Sequence, residues 1–146
     1  MNKGSAPAPG KSGRTYSMND TLTCAIVGHL VGDYLLQNDW MAQNKKHEDL
    51  PCAVHCFLWA LAVCLFAGWS WYIGFLLFWL HYIQDRTNIV AWWMRLKWKD
   101  QYRFMQCDDF DLTDMRVIPG LGPWSIIVVD NVWHIVTIWA VWRFIA

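Results

Sequence analysis

The sequence has no surplus of charge of either sign, because its 12 lysines and arginines are balanced by 12 aspartates and glutamates. A chain without a positive excess is not suited to bind nucleic acid through bulk electrostatic attraction. Charged residues are also scarce, at 16% of the chain, whereas an average soluble domain has roughly 25%. The composition therefore favours a single membrane domain over a soluble one.

Features of a secreted protein are lacking as well. The five cysteines are odd in number and mostly lie inside apolar segments, which argues against a disulfide framework. Cys52 and Cys56 flank His55 and could be soft metal ligands. We favour the interpretation that they are small apolar residues that fill space in the core. The first apolar run contains His29 and Asp33, so we expect no cleavable signal peptide.

Apolar residues are concentrated in four runs, each roughly as long as a membrane-spanning helix requires. The runs cover residues 21–37, 53–68, 71–88 and 124–142. Twelve tryptophans support a bilayer setting, because tryptophan concentrates at membrane interfaces. Gly68, Trp69 and Ser70 leave room only for a tight turn between the second and third runs. The sequence thus predicts an all-α, integral membrane four-helix bundle.

The organisation of the chain follows from its polar segments. Residues 1–20 are rich in Gly, Pro, Ala and Ser and predict a disordered tail. Residues 21–146 form the predicted transmembrane metal-binding domain, with a cytoplasmic or interfacial loop over 89–122. Within that loop, residues 92–98 predict an interfacial helix and residues 108–114 a solvated acidic stretch. Eight of the twelve basic residues lie in two loops, which places both loops in the cytoplasm and both termini outside.

The apolar runs carry a repeated pattern of ionisable residues. HLVGD, HYIQD and DNVWH each place a histidine and an aspartate four residues apart, and therefore on one helix face. A further histidine lies near the start of the second run. Ionisable residues are costly inside a membrane and usually functional. The set comprises His29, Asp33, His55, His81, Asp85, Asp130 and His134.

The four histidines of this set are predicted to lie in one layer. At about 1.5 Å per helical residue, they are roughly 12 to 20 Å from the same end of an up-and-down bundle. Four imidazoles and three carboxylates suit one or two divalent transition-metal ions, namely Zn, Mn, Fe or Ni. We predict that all seven residues bind metal, and that one of the catalytic carboxylates, Asp33, Asp85 or Asp130, acts as general base. Side chains predicted to orient these ligands are Tyr34, Gln37, Gln84 and Asn131.

A family resemblance rests on the same residues. HLVGDYLLQNDWMAQNKK (29–46), followed by His55, HYIQD and DNVWH, resembles the small bacterial and phage membrane proteins of domain-of-unknown-function family 3307. The resemblance covers about residues 22–142 and implies a membrane-bound metal-dependent hydrolase of the bacterial inner membrane, with the seven residues as its polar core. Arg86 and Asn131 depart from the family pattern, where an apolar residue and a glutamine are expected, and they bear on specificity.

The predicted function is an integral membrane metal-dependent hydrolase acting on a phosphoester or lipid substrate. Its expected partners are the bilayer, an anionic lipid or phosphorylated small molecule, and a second copy of the chain, but not nucleic acid. A second interpretation is a proton or divalent-cation transporter or channel component, although the apolar outer halves at 58–66 and 135–141 argue against a conduction path. A third is a membrane-anchored interaction protein with a structural metal, and a fourth is a set of His–Asp pairs that compensate each other without metal.

Overall fold

The structure is a computed structural model that describes residues 18–97 and 125–146. Every regular element within these two ranges is helical and no strand occurs there, which confirms the all-α prediction. The first helix begins at Met18, so the last three residues of the predicted tail are helical. The rest of the tail, Cys107 and the acidic stretch at 108–114 lie outside the described residues.

Six α-helices and one π-helical turn make up the described chain. The helices are α1 (Met18–Val31), α2 (Asp39–Asn44), α3 (Asp49–Ala67), α4 (Trp71–Arg86), α5 (Ile89–Lys97) and α6 (Ser125–Phe144). The π-helical turn over Gly32–Leu36 continues α1. Helix α2 was not predicted; its start is capped by Asn38, whose Oδ1 accepts from the Met41 amide at 3.0 Å.

Helices α3 and α4 form the predicted hairpin. Pro51 is tolerated in the first turn of α3, because an amide there has no partner within the helix. The helix ends at Gly68, which adopts the left-handed conformation with φ of 67°. The Trp69 amide donates to the Cys64 carbonyl at 3.0 Å, and α4 begins at Trp71. The tight turn at residues 68–70 is therefore confirmed.

Four of the helices pack as a ring. Helix α3 contacts α1 and α4, and α6 contacts the same two helices from the other side. Thr21, Gly68 and Trp142 line one cleft, so the start of α1, the hairpin turn and the end of α6 lie at one end. Neighbouring helices of the ring consequently run antiparallel. Helix α2 packs on α3, and α5 packs on α6.

Two glycines bring α1 close to α3. A Cβ atom on Gly28 would lie 2.8 Å from Val63 Cα, and one on Gly32 would lie 2.7 Å from Trp59 Cδ1. Small residues spaced by four let two helix backbones approach closely. This contact sets His29, which lies between the two glycines in sequence, against α3.

The bundle buries an apolar core, yet its outer faces are also apolar. The core consists of Ala25, Trp59, Ala60, Val63, Ile73, Leu77, Ile138 and Val141. On the outside, Leu65 is 72% exposed and Trp71 is 83% exposed. Among the described helices, α3 and α6 have the length and hydropathy of membrane spans. Helix α1 has 14 residues and α4 has 16, so two of the four predicted spans meet this criterion.

Candidate metal centre

Each helix of the ring contributes one buried histidine to the interior of the bundle. His29, His55, His81 and His134 come from α1, α3, α4 and α6, and each is at most 1% exposed. The His81 ring centroid lies 4.1 Å from that of His134 and 5.1 Å from that of His55. The His29 centroid is 5.7 Å from that of His134. The histidines meet as the depth arithmetic predicts, because neighbouring antiparallel helices bring residues of equal depth together.

Asp33 lies within reach of all four imidazoles. It belongs to the π-helical turn after α1, and its side chain is 12% exposed. Its Oδ2 atom lies 3.3 Å from His29 Nδ1 and 3.5 Å from His134 Nδ1. Its Oδ1 atom lies 3.4 Å from His55 Nε2 and 3.9 Å from His81 Nε2. The spacing of four residues thus places Asp33 beside His29, as predicted.

Asp85 faces three of the imidazoles from the end of α4. The side chain is 1% exposed. Its Oδ2 atom lies 3.2 Å from His55 Nε2 and 3.3 Å from His81 Nε2, whereas Oδ1 lies 3.5 Å from His134 Nε2. Each oxygen therefore faces different imidazole nitrogens, as a carboxylate shared between two ligand groups would.

Four of these atoms have the spacing of a tetrahedral ligand set. His55 Nε2, His81 Nε2, Asp33 Oδ1 and Asp85 Oδ2 are separated by 3.1 to 3.9 Å in the five pairs measured. Ligand atoms of a tetrahedral zinc ion with bonds of about 2.0 Å lie roughly 3.3 Å apart. A second group of possible ligands is Asp85, Asp130 and His134, whose ligand atoms lie within 4.8 Å of one another. Buried His/Asp clusters of this protein could therefore hold a metal ion.

Several polar atoms of the centre are buried without a hydrogen bond to the described residues. They are Asp33 Oδ1, Asp85 Oδ1, both ring nitrogens of His134, and Nδ1 of His55 and His81. The His–Asp separations of 3.2 to 3.9 Å are longer than the 2.7 to 2.9 Å or so of charge-assisted hydrogen bonds. A buried polar atom without a partner costs about 1–3 kcal/mol. A cation at this centre would satisfy the unpaired carboxylate oxygens and the His134 nitrogens, whereas Nδ1 of His55 and Nδ1 of His81 lie outside the tetrahedral set.

His29 differs from the other three histidines, because both of its ring nitrogens are engaged. Trp59 Nε1–H donates to His29 Nδ1 at 2.9 Å, and an indole can only donate. His29 therefore carries its proton on Nε2, which donates to Asn131 Oδ1 at 3.1 Å. The Asn131 amide group donates in turn to the Ile127 carbonyl and the Tyr34 hydroxyl, which fixes its orientation. A directional chain of hydrogen bonds thus holds the His29 ring.

Trp59 is a functional candidate that sequence reasoning missed. Its side chain is 1% exposed. Besides donating to His29, its indole stacks on the His81 ring at a centroid distance of 4.0 Å. Tryptophans were interpreted as interface anchors, but Trp59 lies in the middle of an apolar run, away from both ends. That position is the signal that could have identified it.

Lys45 is a second residue whose role the sequence did not reveal. Its Nζ atom lies 2.8 Å from Asp85 Oδ2 and donates to Gln37 Oε1 at 3.0 Å, and its side chain is 16% exposed. Burial alone would lower the pKa of Lys45, but the carboxylates of Asp85, Asp130 and Asp33 together outweigh it, so the pKa lies above its usual value. In the sequence, Lys45 is one of the eight basic residues of the two predicted cytoplasmic loops.

Of the four residues predicted to orient the ligands, three have contacts with side chains of the centre and one does not. Gln37 contacts Lys45, whereas Tyr34 and Asn131 belong to the chain that holds His29. Gln84 does not orient a ligand: its amide donates to Thr137 Oγ1 at 2.7 Å.

Residues beside the centre pack at the start of α3 and hold the loop that precedes it. Cys52 and Cys56 are buried with their sulfurs 3.9 Å apart, and Cys56 also lies near His81 and Asp85. Arg86, a departure from the family pattern, lies outside the ligand set. Its Nε donates to Asp49 Oδ1 at 2.8 Å, and its other nitrogens donate to carbonyls of the loop between α2 and α3.

The centre is interpreted from its own geometry, and the resemblance to family 3307 stays a prediction. No protein-family model, no curated protein and no solved structure matches the chain.

Proposed function

We propose that this protein is an integral membrane, metal-dependent hydrolase with a one- or two-metal centre inside its four-helix bundle, near the cytoplasmic leaflet. The observation that carries the proposal is the convergence of four ligand atoms, from His55, His81, Asp33 and Asp85, at the spacing of a tetrahedral set. These residues come from three different helical segments, so local sequence spacing accounts only for the proximity of His81 and Asp85.

The apolar exterior supports the membrane setting. Phe57, Leu61 and Leu65 lie along one exposed face of α3, and Val132, Val136 and Trp139 along one exposed face of α6. Large exposed apolar surfaces mark contact with lipid or with a partner. Helices α3 and α6 also satisfy the length and hydropathy criterion for a span. We therefore propose that all four ring helices cross the bacterial inner membrane.

The ligands divide between two positions. In the proposal, His55 and His81 bind the first ion together with Asp33 and Asp85. His134, Asp130 and the other Asp85 oxygen would hold a second ion. His29, Asp33 and His134 form a further group of possible ligands, but Trp59 and Asn131 occupy the nitrogens of His29, so we propose that His29 packs beside Asp33 without binding metal. Imidazole and carboxylate donors suit Zn, Mn, Fe or Ni.

The chemistry expected of such a centre is hydrolysis of a phosphoester or a lipid ester. A divalent ion supplies Lewis acidity and lowers the pKa of a coordinated water only where it keeps an open position, so we propose hydrolysis at the second group, in which Asp85, Asp130 and His134 offer three ligands. Asp130 is less buried than Asp85, and we propose that its carboxylate accepts the proton of the attacking water when it is not bound to metal. Asp33 and Asp85 hold their orientation through contacts on both oxygens.

A transporter is disfavoured by the packing between the centre and the hairpin end of the bundle. Val63, Ile73, Leu77, Ile138 and Val141 are each at most 3% exposed and fill that space. A conduction path for protons or divalent cations needs polar groups through both leaflets. The described part of this half of the bundle has an apolar core instead.

Metal analysis of detergent-purified protein tests the proposal first. We expect one or two equivalents of a transition metal in the wild type, and loss of metal in His81→Ala, which removes a ligand from the tetrahedral set. His47→Ala is the matched control, because His47 is exposed in the loop before α3. A folded wild-type protein without metal would contradict the proposal and favour His–Asp pairs that compensate each other.

An activity screen then separates a catalytic from a structural metal. The substrates are chromogenic phosphomonoesters, phosphodiesters and acyl esters in mixed micelles. We expect hydrolysis that requires the ion and that Asp85→Asn abolishes. Bound metal without hydrolysis of any of them would favour the interaction protein with a structural metal.

A further inference from the structure

Lys45 is the cationic side chain that enters the centre. Its Nζ atom lies 2.8 Å from Asp85 Oδ2. Among the side chains that the structure describes, no other lysine or arginine forms an ion pair with a residue of the centre; Arg86 pairs with Asp49. Lys46, the next residue, directs its ammonium to the Thr87 carbonyl at 3.4 Å. Proximity in sequence therefore does not account for the position of Lys45.

The ammonium approaches the same oxygen that a metal ion would bind. Asp85 Oδ2 is the atom 3.2 Å from His55 Nε2 and 3.3 Å from His81 Nε2, and it belongs to the tetrahedral set. One oxygen can contact both cations, but their mutual repulsion weakens each contact. Metal and ammonium thus compete at Asp85.

The charge of the centre nevertheless has room for both cations. The carboxylates Asp33, Asp85 and Asp130 contribute three negative charges when ionised, and Lys45 contributes one positive charge. Buried charge must be compensated nearby, since desolvation of an unpaired ion is costly. With the four imidazoles neutral, as metal ligands are, these four side chains leave two negative charges, which one divalent ion balances.

We infer that Lys45 is a resident cation of the centre: it compensates Asp85 in the metal-free protein, and beside a bound ion it donates to an anionic oxygen of the substrate. The second half of this inference rests on the proposed function. It specifies a substrate with a phosphoryl or similarly charged oxygen.

The surroundings of the ammonium allow the second step. An ammonium group has three donors. Within the described residues, Nζ contacts Asp85 Oδ2 and Gln37 Oε1, and the side chain remains 16% exposed. The hydrogen bond to Gln37 keeps the ammonium near the centre when the Asp85 carboxylate binds metal instead of Lys45. One donor therefore remains for an anion that arrives from the open side.

The first test uses metal-stripped protein and a double-mutant cycle of Lys45→Met and Asp85→Asn. If Lys45 compensates Asp85, Lys45→Met alone lowers the unfolding midpoint, and the same change has little effect in the Asp85→Asn background. Equal effects of Lys45→Met in both backgrounds would overturn the inference. This arm needs no metal, so it remains decisive even if the proposed function fails.

The second test measures zinc and inorganic phosphate. Removal of the competing ammonium should tighten Zn²⁺ binding by about tenfold or more. Phosphate should bind the zinc-loaded wild type, and binding should weaken by about tenfold or more in Lys45→Met. Lys46→Met is the matched control and should change neither value.

Either of two results from this second test would overturn the inference. One is unchanged or weaker zinc binding in Lys45→Met, which would show that ammonium and metal do not compete. The other is equal phosphate binding by the two lysine variants, which would show a general effect of positive charge. A wild type that binds no zinc would instead refute the proposed metal centre, while the double-mutant cycle still decides the role of Lys45.

Discussion

Trp59→Phe should uncouple His29 from α3 while leaving the helices in place. The substitution keeps an aromatic ring in the core but removes the indole N–H that donates to His29 Nδ1 at 2.9 Å. His29 is fully buried, so water does not readily replace the lost donor. Without the indole donor the His29 ring can turn or change tautomer, which alters its contact with Asp33 Oδ2, 3.3 Å away.

The magnitude follows from two contributions. A buried acceptor left without a partner costs about 1–3 kcal/mol. The smaller ring also leaves a cavity against His81, which adds roughly 1–2 kcal/mol. We therefore expect the free energy of unfolding to fall by about 2–5 kcal/mol. Residues that orient metal ligands affect metal affinity by about 10- to 100-fold, and we expect a loss of that size for Zn²⁺.

The assays are reversible unfolding in detergent, zinc competition with a chelator, and ¹⁵N NMR of the histidine rings, which reports the tautomer. Trp139→Phe is the control, because Trp139 is 45% exposed on α6. It should change stability by less than about 0.5 kcal/mol. If Trp59→Phe leaves both the His29 tautomer and the zinc affinity as in the wild type, the positioning argument is refuted.

Gly32→Ala should lower stability by about 1–3 kcal/mol in unfolding measurements, because the added Cβ would lie 2.7 Å from Trp59 Cδ1. Cys56→Ala should retain the metal content of the wild type and cost about 1 kcal/mol for the small cavity. Arg86→Gln should speed amide exchange near His47, whose carbonyl Arg86 contacts at 3.1 Å, without loss of metal.

Each of these predictions has its own check. Gly74→Ala is the control for Gly32, because its Cβ would meet only the Cys64 sulfur, at 3.0 Å; equal costs at the two glycines would count against the close α1–α3 contact. Loss of metal in Cys56→Ala would show that the Cys56 thiol is a metal ligand. Unchanged exchange in Arg86→Gln would show that the loop is held by other contacts.

Helical periodicity explains why much of the centre could be predicted from sequence. A spacing of four residues places His81 and Asp85 on one face, and their side chains lie 3.3 Å apart. Equal distances from the bundle end bring residues of different helices together. Both rules depend only on helix geometry, so they hold without knowledge of side-chain packing.

The contacts that the sequence did not reveal join residues far apart in the chain. Trp59 and His29 are separated by 30 residues, and nothing in either local pattern indicates an indole donor. Lys45 reaches Asp85 only because an unpredicted short helix, α2, turns the chain after residue 38. The π-helical turn at Gly32–Leu36 also departs from the regular α-helical period on which the sequence prediction depends.

Helix α4 has 16 residues, and a helix of that length extends about 24 Å. The hydrocarbon layer of a typical bilayer is about 30 Å thick. A span shorter than the hydrocarbon layer creates a hydrophobic mismatch, and the surrounding bilayer thins to accommodate it. Asp85 is the second-last residue of α4. In the proposed setting, the thinned leaflet would draw headgroups towards Asp85, so a lipid substrate could present its phosphate without leaving the membrane.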